Sequence, residues 1–187
     1  MRTVHFTLTS MPGSPLFFGK RVFEEKPCDE THQQFDQRTW KHKVHVDESG
    51  QVVIQPFALK NMLESAAKRL QMKVPSVKGT YTKLFVQGIL VTEAMRLTDH
   101  SGGKLTIDDV SVNALDVPSD GKRGSGKRVC RLFPEVRQWK TTAEILVLDN
   151  RITDEVLLKH ITEGGKFIGF GSMRVENGGI NGRFSVS

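Results

Sequence analysis

The chain predicts an α+β fold of the ferredoxin-like type: an antiparallel sheet with two helices on one face, plus an inserted thumb-like segment and a basic hairpin. Three observations predict it. Strand-like segments open and close the chain, over 2–9 and 181–186. Two segments, starting near Pro56 and Thr153, carry apolar residues at helical spacing. Two further strand-like runs, 83–92 and 137–148, lie between those helices. Strand, helix, strand, strand, helix, strand is the order of a β-α-β-β-α-β sandwich. With 187 residues, 37% hydrophobic and 26% charged, the chain resembles a soluble globule able to bury a core unaided. The whole chain, 1–187, therefore reads as one domain with an insertion at 16–50 and a basic loop at 118–131.

In the first strand Val4, Phe6 and Leu8 alternate with His5, Thr7 and Thr9, the period of a half-buried strand. Pro12, Gly13 and Pro15 break it. Residues 16–50 scatter Phe17, Phe18, Phe23, Phe35 and Trp40 among charges without a period, which predicts an insertion ordered by its aromatics, with a strand at 39–46. Val52, Val53 and Ile54 lead into the first helix, where Pro56 suits the opening turn. Leu59, Met62, Leu63, Ala66, Ala67 and Leu70 form its apolar stripe. Residues 83–92 are apolar and β-branched and predict a buried strand. Residues 104–117 alternate again, and 137–148 end in Ala-Glu-Ile-Leu-Val-Leu, a further strand. Thr153 is a good N-cap for the second helix, with Asp154 and Glu155 where the dipole favours acids. Leu157, Leu158 and Ile161 are its stripe, and Gly164-Gly165 predicts its end. The RNA-recognition module shares this topology.

Composition excludes several classes. No run approaches the roughly 20 apolar residues of a membrane helix. The first residues have no apolar leader, so a cytoplasmic protein is expected. Cys28 and Cys130 are too few for a disulfide framework or a cysteine zinc site. Cys28, His32, His42 and His45 match no metal-ligand spacing, and on a strand His42 and His45 would face opposite ways. Gly124-Ser125-Gly126-Lys127 lacks the hydroxyl residue that follows the lysine of a phosphate loop. No nucleophile elbow occurs. The expectation is a non-enzymatic protein with no cofactor and no metal.

The formal net charge is +6, and the segment 121–131 holds Lys122, Arg123, Lys127, Arg128 and Arg131 with no acid. Its three glycines predict a loop or hairpin tip, suited to a polyanion. Seven of the 17 glycines fall between Gly164 and Gly182, interleaved with Lys166, Arg174 and Arg183. Backbone amides at such glycines can meet a phosphate. The expected nucleic-acid contacts are therefore Lys122, Arg123, Lys127, Arg128 and Arg131, together with Gly169, Gly171, Arg174 and Arg183. Phe133, Trp139 or Phe170 would stack on bases.

Two stretches carry a family resemblance. Val53-Ile54-Gln55-Pro56-Phe57-Ala58-Leu59-Lys60 resembles the first-helix entry of the RAMP superfamily of CRISPR-associated RNA-binding proteins. Gly164-Gly165-x3-Gly169-Phe170-Gly171-x2-Arg174 looks like the glycine-rich loop which that superfamily places between its last helix and last strand, against the RNA backbone. The ending, from Arg174 through Asn177-Gly178-Gly179 to Gly182-Arg183-Phe184, also resembles uncharacterised phage and prophage proteins. The resemblance implies a crRNA-binding backbone-type subunit, with 16–50 as a small thumb. It also implies single-stranded RNA, or DNA second, as partner, self-association along the strand, and a CRISPR-associated protein complex. Two other functions fit the sequence. One is a phage protein that binds a host complex by imitating a backbone subunit. The other is a metal-independent endoribonuclease, for which His160 is the histidine nearest the glycine-rich loop.

Overall fold

A computed structural model describes residues 1–75, 77–119, 124 and 126–187. Its main sheet contains β1 (Arg2–Ser10), β4 (Ile89–Leu90), β8 (Lys140–Val147) and β9 (Phe184–Val186). The spatial order is β4-β8-β1-β9, with every pair antiparallel. The first of these strands in the chain thus lies between the third and the fourth, which is the ferredoxin-like order. The α+β fold expected from the sequence is the fold observed.

Alternation along β1 sends Val4, Phe6 and Leu8 inward, and Ala143, Ile145 and Val147 of β8 join them. Over this face pack α2 (Pro56–Leu70) and α4 (Asp154–Phe167). Leu59, Leu63, Leu157 and Ile161 are fully buried, each worth roughly 1.5–3 kcal/mol relative to exposure. The opposite face is polar: His5 pairs with Glu144, and Thr7 faces Thr142. No Phe, Tyr or Trp stands on that face of β1, β8 or β9, so the sheet lacks the ring platform of an RNA-recognition module.

Three expected elements differ. The first half of 83–92 belongs to a helix, α3 (Tyr81–Gln87), and only Ile89–Leu90 pairs with β8. Tyr81 and Phe85 are spaced to bury together, and Lys60 Nζ closes the helix by donating to the carbonyls of Phe85, Val86 and Ile89. The strand expected at 39–46 is instead a helical turn, Trp40–Lys43, continuing α1 (His32–Thr39). A capping box between Thr31 and Gln34 starts that helix. Gly164 and Gly165 do not end α4 but lie inside it, at its closest approach to α2 and β9. A Cβ on Gly165 would come 2.9 Å from the Phe184 ring. Gly169, with φ +75°, is the residue that ends the helix, its N–H donating to Gly164 O at 2.9 Å.

The basic hairpin is β6 (Ser111–Pro118) paired with β7 (Arg128–Val136). The inserted segment closes the other edge of β7. First β2 (Leu16–Phe17) pairs with Val136 and Glu135, and Phe18 N–H donates to Pro134 O. Then side chains take over: Leu132 N–H donates to Asp36 Oδ2 at 3.1 Å, and Leu132 O accepts from Lys43 Nζ at 2.9 Å. A further pair, β3 (Val53–Ile54) with β5 (Met95–Arg96), leads into α2. No helix among the described residues is long and apolar enough to cross a membrane.

Candidate nucleic-acid interface

A groove made of three adjoining clefts, linked by the residues they share, lies where the inserted segment, the start of α2, the glycine-rich loop and the hairpin stem meet. At one end the cleft lies between Lys20, His45, Gln55, Phe57, Asn61, Gly171, Ser172 and Arg174. Phe18, Gly19, Lys20 and Ser172 also line the middle, together with Lys43 and Arg131. Phe133 carries the groove on to Arg128, Met173 and Gly178. Lys20, Lys43, Arg128, Arg131 and Arg174 therefore face it, against two carboxylates, Asp36 and Asp116.

Each cation is positioned differently. Lys20 and Arg128 are exposed, and Arg128 Nη2 donates to Asp116 O at 2.9 Å, which ties it to the hairpin stem. Lys43 Nζ lies 2.9 Å from Asp36 Oδ1, with Arg131 Nη1 3.8 Å from the same oxygen. Arg174 donates from Nε and Nη2 to Glu176 Oε2, at 3.0 and 2.6 Å. This leaves positive charge in excess, with Lys43, Arg128, Arg131 and Arg174 each directed by a partner. His45 is half-buried, and burial first, then the Lys20 ammonium, holds its imidazole below the usual histidine value. A neutral ring leaves Nδ1 free to accept from Gln55 Nε2, 3.4 Å away.

The expected contact residues are distributed unevenly. Gly171 and Arg174 line the cleft at the α2 end, Arg131 the middle one and Arg128 the one at the hairpin end. Lys127 is exposed beside them on the hairpin. Lys122 and Arg123 lie outside the described residues. Gly169 is buried and its N–H is bonded to Gly164 O, so that amide cannot meet a phosphate. Gly171 is exposed, with φ +76°, where the chain turns tightly over the Phe17 carbonyl; this contact alone demands a glycine. Arg183 is half-buried away from the groove, its carbonyl accepting from Met11 N–H.

The stacking residues are also redistributed. Trp139 and Phe170 are core, packed with Phe184, and Phe133 lies against Phe17. Among the described residues an exposed ring that lines the clefts is Phe57, which is 60% exposed. Its signal was in the sequence, since position 57 falls off the stripe of Leu59, Met62, Leu63 and Ala66. Lys20 and Lys43 had no comparable signal, because the insertion has no period. His160, the histidine nearest the glycine-rich loop in sequence, is fully buried and stacked on Phe85.

No protein-family model and no curated protein matches this chain. Among solved structures it is similar to a chain described as a CRISPR RNA-guided surveillance complex, with a TM-score of 0.35 and 8% identity. The match covers 95% of this chain and 65% of that one, so the chain spans about two thirds of the neighbour's length.

Proposed function

We propose that this protein binds single-stranded nucleic acid, RNA before DNA, without cleaving it, in the manner of a RAMP-type backbone subunit. One observation carries the reading: three adjoining clefts gather Lys20, Lys43, Arg128, Arg131 and Arg174 from four separate parts of the chain. Phosphates would be neutralised along it, and the sheet face would stay free of the strand. The sequence resemblance at the α2 entry and the glycine-rich loop points to the same place, since both border the groove.

The test is fluorescence anisotropy with labelled single-stranded RNA, single-stranded DNA and duplex DNA, at low and physiological salt. Single-strand binding should weaken with salt by about 0.7 in log–log slope for each phosphate contacted. The triple variant Lys20→Ala, Arg128→Ala, Arg174→Ala should lose about 2 from that slope on the same rule. Silence of every probe at low salt refutes the reading and leaves the basic hairpin for an acidic protein partner, to be sought by pull-down.

A further inference from the structure

The cleft at the α2 end of the groove has more than charge. Its floor is buried and apolar, formed by Leu16, Ile54 and Phe170. Its volume is about 220 Å³, below the ~300–1,000 Å³ of pockets that hold drug-sized ligands. One planar heterocycle fits such a space; a whole nucleotide does not. Two side-chain amides border it, Gln55 at the helix cap and Asn61 on the second turn. An amide offers a donor and an acceptor side by side, the pattern that pairs with a base edge. Phe57 lies four residues before Asn61, on the same side of α2, and exposes its ring at the cleft mouth. Lys20 and Arg174 flank the cleft where the sugar–phosphate chain would stay outside.

We infer that this cleft is a base-reading pocket, which takes one unpaired nucleobase of the bound strand, stacks it on Phe57 and reads its edge with Gln55 and Asn61. The inference rests on the proposed single-strand binding and adds a specificity that a purely electrostatic groove would not have. Bases turned out of a single strand are recognised by this combination of a ring and edge hydrogen bonds. The apolar floor admits the flat heterocycle, and the cations hold the adjacent phosphates without sequence preference.

The experiment compares short single-stranded RNA homopolymers of each base with a base-free phosphodiester oligomer of equal length and charge. The expected result is tighter binding of at least one homopolymer than of the base-free oligomer, by about tenfold. Phe57→Ala should abolish that difference, with an unchanged circular dichroism spectrum showing that the exposed position leaves the fold intact. Asn61→Ala should narrow the spread among the homopolymers. Equal binding of all homopolymers and the base-free oligomer overturns the pocket and leaves the groove reading standing. No binding of any oligomer overturns both.

Discussion

Lys43 Nζ lies 2.9 Å from Asp36 Oδ1, and both side chains also bond the backbone of Leu132 in the hairpin. The insertion thereby imitates a strand along the free edge of β7. A carboxylate takes the N–H and an ammonium takes the carbonyl that a neighbouring strand would have satisfied. Asp36 is 4% exposed, so its charge is held in a poorly solvated position and depends on Lys43 and Arg131 to compensate it. Two cations of the groove are in turn held by one acid beneath it.

Asp36→Ala should therefore do two things that simple charge counting does not predict. It removes an acid from a basic groove, which by long-range electrostatics alone would tighten nucleic-acid binding. Because it releases Lys43, Arg131 and the Leu132 amide, we expect weaker binding by anisotropy instead. We also expect a stability loss of about 3 kcal/mol in urea titrations. Tighter binding with unchanged stability would show that Asp36 does not position the groove.

Gly164 and Gly165 offer a paired test of why α4 carries glycines in its interior. On propensity, alanine at either position should stabilise the helix by roughly 1 kcal/mol. At Gly165 the new Cβ meets the Phe184 backbone carbonyl and its ring, neither of which can turn aside. At Gly164 it meets the Met62 thioether, a flexible chain that can repack. Gly165→Ala should lower stability by about 2–3 kcal/mol and Gly164→Ala by clearly less, read as urea midpoints at constant slope.

The same glycine pair shows how far the sequence could be read. Apolar alternation at Val4, Phe6 and Leu8, the stripe from Leu59 to Leu70 and the Thr153 cap are local signals, and each survived in the structure. Gly164-Gly165 looked like a stop because nothing local reveals that β9 crosses there. Residues 83–92 read as a strand because Leu84, Phe85 and Val86, then Ile89, Leu90 and Val91, run consecutively without a helical period, and the donor that closes α3 is Lys60, from another element. The groove was half-legible for the same reason. Arg128, Arg131 and Arg174 stood in evident basic or glycine-rich segments, whereas Lys20 and Lys43 reach it only because the insertion folds onto β7.

His160 gives a pH dependence with a definite sign. Its ring is fully buried and stacked on Phe85 with centroids 4.1 Å apart. Nδ1 donates to Val156 O at 2.6 Å, while Nε2 is buried without a partner among the described residues. Burial pushes the imidazole below the usual histidine value, so the folded protein keeps the ring neutral. The unfolded chain takes up a proton below about pH 6.5, and stability must then fall as pH drops through and below that value. His45 is lowered in the same direction and contributes in the same window. Asp47 and Asp149 are lowered by their hydrogen bonds and arginine partners, and they act only in the carboxylate range further down. His160→Phe keeps the ring packing and removes the buried nitrogen, and should cost less than about 1.5 kcal/mol at pH 8. Between pH 6.5 and 5 its urea midpoint should decline less steeply than that of the unmodified protein. Parallel curves would assign the titration in that window to His45, since the ring packing is common to both proteins.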